Sequence, residues 1–146
     1  MIEYLFHGKD TTNGKWVEGN LFHDPDLDTY AIMGFDYTIG ESGVEREEFW
    51  CSVIPESVGQ YTGWTDSNGS KIFVGHILRC INTYQGKNTE HFCVVEFRPG
   101  GFALKYIGED GCLGIWTRSA GMQLPSIVKL TIIGNVIDNL ELLGTP

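Results

Sequence analysis

Short runs in which apolar and polar residues alternate, broken by glycine-rich reversals, make up most of this chain. The runs are rich in β-branched and aromatic side chains. Successive side chains of a strand point to opposite faces, so the pattern predicts half-buried strands. Strands are expected over residues 16–22, 30–37, 48–52, 71–74, 77–84, 91–98, 102–107 and 127–133. No stretch carries apolar residues at helical spacing over several turns. One short helical segment is expected at Asn139-Leu140-Glu141-Leu142-Leu143, with Asp138 or Asn139 as its cap.

The reversals carry recognisable turn chemistry. Asn13-Gly14 and Asn68-Gly69 are dipeptides that accept the positive φ angles of a type I′ hairpin turn. Gly40-Glu41-Ser42-Gly43, Gln85-Gly86-Lys87-Asn88 and Pro99-Gly100-Gly101 mark further reversals. Gly8 and Gly63 precede the two Asn-Gly pairs by the same offset. That echo is too short to define a repeat, and similar hairpins need similar turn residues. The regular turn spacing predicts a mostly β fold: a small SH3-like or related barrel, or a bent antiparallel sheet, with short helical turns. At 146 residues the expectation is a single domain over 1–146, or two tightly joined lobes.

Charge narrows the functional classes. Nineteen acidic residues against ten basic ones give a net charge of −9. Nucleic acid recruits proteins by phosphate neutralisation, so direct binding is not expected, nor is attraction to anionic membranes. The N-terminus lacks the features of a signal peptide, and no apolar run reaches bilayer-spanning length. A cytoplasmic protein is expected, and Cys51, Cys80, Cys93 and Cys112 are then buried thiols.

The stretch Ile54-Pro55-Glu56-Ser57-Val58-Gly59-Gln60-Tyr61-Thr62-Gly63-Trp64-Thr65-Asp66-Ser67-Asn68-Gly69-Ser70-Lys71-Ile72-Phe73-Val74-Gly75-His76-Ile77 carries a longer pattern. It resembles the signature of the YopX-like proteins of phages and prophages, in which a V-G-Q-Y-T-G segment leads to D-x-N-G and then to E-G-D-I. Gly8-Lys9 with Lys15-Trp16-Val17-Glu18-Gly19 is similar to that family's N-terminal element, and residues 132–143 to its C-terminal tail. The resemblance implies a compact β-rich fold in a phage-related protein of the bacterial host's cytoplasm, and it brings no enzymatic activity with it. Val74-Gly75-His76 stands where the family usually has Glu-Gly-Asp, and Trp64 where leucine is common. The motif's glycines are expected to serve bends: Gly59, Gly63 and Gly75.

Candidate chemistry is sparse. His23-Asp24-Pro25-Asp26-Leu27-Asp28 begins like a calcium loop, but Thr29 and Phe35 occupy the positions that need glycine and glutamate. Cys80, His91 and Cys93, joined by His76 or Cys112, can converge if the strands flanking 85–88 form a hairpin, yet their spacings match no zinc framework. No metal and no cofactor are expected. No nucleophile elbow or phosphate loop is present, so no catalytic residue is named and an enzyme is not expected.

The aromatics, 12% of the chain, can fill a core or line a binding surface. Tyr61 and Trp64 flank a glycine-rich turn and are the pair expected to be less enclosed. These lines together predict a non-catalytic binding module that engages a host or phage protein and can self-associate. Its acidity suits a basic partner. The alternative is a protein that sequesters a nucleotide-like ligand used in host signalling, with Tyr61, Trp64, Arg79, Arg98 and Arg118 as binding residues and Lys105 nearby.

Overall fold

The structure, a computed structural model, describes residues 5–99, 101–117, 121–123 and 127–144. Twelve strands run through them: β1 (Phe6–Lys9), β2 (Trp16–Asp24), β3 (Thr29–Gly40), β4 (Gly43–Val53), β5 (Gly59–Thr65), β6 (Lys71–Phe73), β7 (His76–Tyr84), β8 (Lys87–Arg98), β9 (Gly101–Tyr106), β10 (Cys112–Thr117), β11 (Gly121–Gln123) and β12 (Ile127–Asn135). Short 3₁₀ turns occupy Pro55–Ser57 and Leu140–Leu143. Every ladder is antiparallel. The fold is mostly β, built of bent antiparallel sheets. The chain divides into two compact units, Met1–Gln60 and Tyr61–Pro146.

In the first unit the strands lie in the order β4-β3-β2-β1, and the first residues of β5 pair with β1 at His7↔Gly59 and Phe6↔Gln60. Ile32 and Val53 form the centre of its core, with Ala31 and His7 also buried. The base of β4 is tied down by Thr11 N–H donating to the Ser52 carbonyl at 3.0 Å and Ile54 N–H donating to Lys9 at 2.9 Å. Beyond this base, residues 35–48 of the β3–β4 hairpin are exposed on both faces except at Gly40, and form an arm.

In the second unit the ladder runs β11-β10-β9-β8-β7-β12. Alternate residues of β7 and β8 point inward. Leu78, Cys80, Cys93 and Val95 thus meet Ile72, Leu104, Leu113 and Leu130 in one core. Register shifts at Cys112/Gly114 and Ile132/Gly134 interrupt the ladder, as bulges do where a sheet bends. Of the two sheet forms the sequence predicts, the structure has the bent sheet: among the described residues neither end of this ladder closes onto the other.

Two local expectations are corrected. Asn13 and Asn68 lack the positive φ that a type I′ turn requires of both central residues; only Gly14 (72°) and Gly69 (81°) have it. Preceding aspartates shape these turns instead. Asp10 Oδ1 accepts the Thr12 N–H at 2.8 Å, and Asp66 Oδ1 accepts those of Asn68 and Ser70, both at 2.9 Å. The paired positive angles fall at Gln85 (50°) and Gly86 (76°), between β7 and β8. At the C-terminal 3₁₀ turn, Asn139 is the N-cap residue but makes no side-chain cap bond. Its Oδ1 accepts the Asn135 N–H at 3.1 Å instead.

The Val74-Gly75-His76 departure also gains an explanation. β6 and β7 are joined by Val74-Gly75, with Gly75 at φ 95°, and the Phe73 N–H donates to His76 Nδ1 at 2.9 Å. Position 76 thus supplies a hydrogen-bond acceptor that closes the turn. The aspartate usual in the resembled family has the same capacity. Val74 packs against the apolar core.

Candidate interaction face

The residues singled out in the sequence for ligand binding do not form one site. Arg79, on β7, bonds Glu90 across the ladder, with Nη2 2.6 Å from Oε2. Arg98 and Lys105 converge on Glu96 at 3.3 and 3.8 Å. Arg118 lies outside the described residues. Tyr61 and Trp64 both belong to β5, which replaces the expected glycine-rich turn. Gly63 (φ 88°) lies where the β5–β6 register shifts, so the strand does not alternate simply. Trp64 is 43% exposed, as expected. Tyr61 differs: it is buried, its ring lying 5.6 Å from that of Phe73, with Lys71 Nζ 5.8 Å from its centroid.

The two metal candidates have other structural roles. Asp24 Oδ1 accepts the N–H groups of Asp26 and Leu27, and His23 Nε2 lies 3.0 Å from Asp28 Oδ1, so the acidic segment is the β2–β3 turn. Cys80 and His91 are cross-strand partners. However, the Cys93 thiol hydrogen-bonds Cys80, which with burial pushes its pKa well up, and His91 Nδ1 lies 3.2 Å from Glu109 Oε1. Among the described residues no three His, Cys, Asp or Glu side chains are placed to hold a metal ion. No helix among them is long and apolar enough to cross a membrane.

The most distinctive surface lies in the first unit. Registers fix which residues share a face: Phe22 opposes Ala31, Asn20 opposes Met33, and Met33, Phe35, Tyr37 and Ile39 oppose Trp50, Glu48, Arg46 and Val44. Phe22, Met33, Phe35, Tyr37, Ile39, Val44 and Trp50 therefore lie on one side of β2–β3–β4. Two contacts support this placement: the Phe22 and Trp50 rings are 5.3 Å apart, and the Arg46 guanidinium lies 4.6 Å above the Phe35 ring. Phe22 is 52% exposed, Trp50 54%, Tyr37 65% and Ile39 90%. The opposite side of the arm pairs Asp36 with Glu47 and Thr38 with Glu45. One face of the arm is thus mainly apolar and aromatic, with Arg46 and Glu48 among its residues, and the other is acidic.

Sequence reasoning missed this face, although its signal was present. In the run Met33-Gly34-Phe35-Asp36-Tyr37-Thr38-Ile39 every second residue is large and apolar. Alternation locates an apolar face but does not say whether the protein itself covers it.

The family model described as "YopX protein" matches residues 5–144. No curated protein matches the chain. The crystal structure of protein EF1440 from Enterococcus faecalis is similar at a TM-score of 0.58, covering 98% of this chain and 99% of that one at 22% identity, a likeness of fold. With nearly its whole length matched, from the first strand to the C-terminal 3₁₀ turn, the chain belongs to the YopX protein family.

Proposed function

We propose that this protein is a non-catalytic interaction module of a phage or prophage, acting in the bacterial cytoplasm, and that it docks a protein partner on the Phe22–Trp50–Phe35–Tyr37 face. One observation carries the reading: large aromatic and aliphatic side chains stand side by side, exposed, on one face of a supported sheet. Exposed apolar surface of this kind marks interaction sites, and aromatic residues contribute most to binding when buried by a partner. Of the cations named for a nucleotide-like ligand, Arg79 is engaged by Glu90 and Arg98 and Lys105 by Glu96, so no observation among the described residues favours that alternative.

The test is a peptide selected from a random library on the immobilised protein, then mapped by chemical-shift perturbation on the isotope-labelled chain. Shifts centred on Phe22, Met33, Phe35, Tyr37 and Trp50, lost with Trp50→Ala, are the expected result. Shifts centred on the second unit would overturn the reading.

A further inference from the structure

β4 is an edge strand. Among the described residues it pairs with β3, and only its base is bonded on the other side, through Thr11 N–H to Ser52 and the Asp10–Val53 bridge. In an antiparallel ladder the backbone groups of successive residues point alternately to the two neighbours. Because the Ser52 carbonyl points outward, Val44, Arg46, Glu48 and Trp50 direct their N–H and C=O groups to that same open side. These four residues also lie on the apolar face.

Resting on the interaction reading, we infer that the partner is bound by strand addition: an extended segment with Lys or Arg at alternate positions and apolar residues between them pairs along the outer edge of β4. Charge complementarity selects this occupant. The charged β4 residues facing away from the aromatic side are Glu45 and Glu47, between Gly43 and Phe49, with Asp36 and Thr38 beside them on β3. A strand added at this edge continues both faces of the sheet. Its side chains on one face meet Glu45 and Glu47, which favours Lys or Arg. On the other face they meet Val44 and Trp50 with Arg46 and Glu48 between them, which favours apolar residues at the two ends of the segment.

A second copy of the chain is the competing occupant, and a dimer of the full chain in solution would overturn the choice of a basic segment. In a two-fold antiparallel pairing the residue on the axis faces its own copy. Centring on Glu45, Arg46 or Glu48 therefore opposes like charges, whereas centring on Glu47 opposes only Glu47 to itself and sets Arg46 against Glu48 and Val44 against Trp50. Centring on Phe49 runs the copy toward the base of β4, where Lys9 and Thr11 already bond.

The probe is an eight-residue peptide of alternating Lys and Val, titrated into the isotope-labelled full chain at low salt. Two N-methylated forms accompany it, each blocking the hydrogen bonds of one edge of the peptide. The unmodified peptide is expected to slow amide exchange at Val44, Arg46, Glu48 and Trp50. One N-methylated form should bind about tenfold more weakly, and the other nearly unchanged, because only one edge pairs. Glu45→Lys with Glu47→Lys, both exposed, should reverse the preference toward an alternating Glu and Val peptide. Binding that both N-methylated forms retain but Trp50→Ala abolishes overturns strand addition while leaving the aromatic face as the docking surface. No binding of the unmodified peptide also overturns strand addition, and the aromatic face is then decided by its own shift map.

Discussion

At His76, burial lowers the imidazole's pKa from 6.5 to about 4, against the opposing pull of the Asp66 carboxylate. The ring is therefore held neutral, as its role as acceptor for the Phe73 N–H requires. In the unfolded chain the same ring protonates near pH 6.5. The sign of the pH effect follows: the contribution is complete above pH 6.5 and is lost as pH falls from 6.5 toward 4, where only the unfolded state has gained the proton. The loss amounts to about 3 kcal/mol at most. Urea unfolding between pH 7.5 and 4.5 should show this slope, and His76→Asn, which keeps an acceptor without a titration, should flatten it. His76→Ala leaves the Phe73 N–H without that acceptor and should cost about 1–3 kcal/mol at pH 7.5.

Asp66 is the companion case. Burial pushes its carboxyl up, but N–H groups of Ile132, Ser70 and Asn68 donate to it and hold the pKa below the usual aspartate value. Those bonds tie the β5–β6 turn to β12 within the second unit. Asp66→Ala should lower stability by roughly 2 kcal/mol, and Asp66→Asn, with one fewer acceptor oxygen, by less. Thermal or chemical denaturation of the three proteins in parallel checks the order.

At the scale of elements, hydrogen exchange should separate the arm from the second unit's core. The central residues of β7 and β8, Leu78, Cys80, Cys93 and Val95, are fully buried or nearly so and are flanked by strands on both sides. Their amides should exchange slowest. The outward amides of Val44, Arg46 and Glu48 should exchange fastest among strand residues, by several orders of magnitude, because they open to solvent without any unfolding.

The same contrast explains which elements the sequence disclosed. Strands with clean alternation, such as β3, β7 and β8, are predicted within a few residues of their observed ends. β5 was hidden because the positive φ at Gly63 breaks its alternation, and β1 because four residues hold too little pattern. Asn-Gly was misread as the source of turn geometry at 13–14 and 68–69, where upstream Asp10 and Asp66 provide it. The YopX pattern was legible across three ordered motifs. The aromatic face was not, because a sequence shows which residues share a side of a strand but not what lies over them.

For the molecule as a whole, charge sets the remaining expectation. A net charge of −9 arises from nineteen acidic and ten basic residues, so repulsion outweighs attraction when summed over the chain. Several basic side chains are already spent in exposed pairs, Arg79 with Glu90 and Arg98 with Glu96, and such pairs contribute little individually. Salt screens both kinds of interaction. Raising sodium chloride from low to moderate concentration should therefore raise the melting temperature by a few degrees, because more repulsion than attraction is screened. Reversing Glu45 and Glu47 to lysine moves the net charge toward zero and removes repulsion concentrated on the arm. That variant should melt no lower than the parent at low salt and gain less from added salt. Calorimetry across a salt series distinguishes this from the opposite case, in which surface ion pairs dominate and salt lowers the melting temperature of both proteins. Part of that repulsion is concentrated on the arm, where Glu45 and Glu47 lie beside Asp36. The arm thus keeps an open, acidic edge at a modest cost in stability.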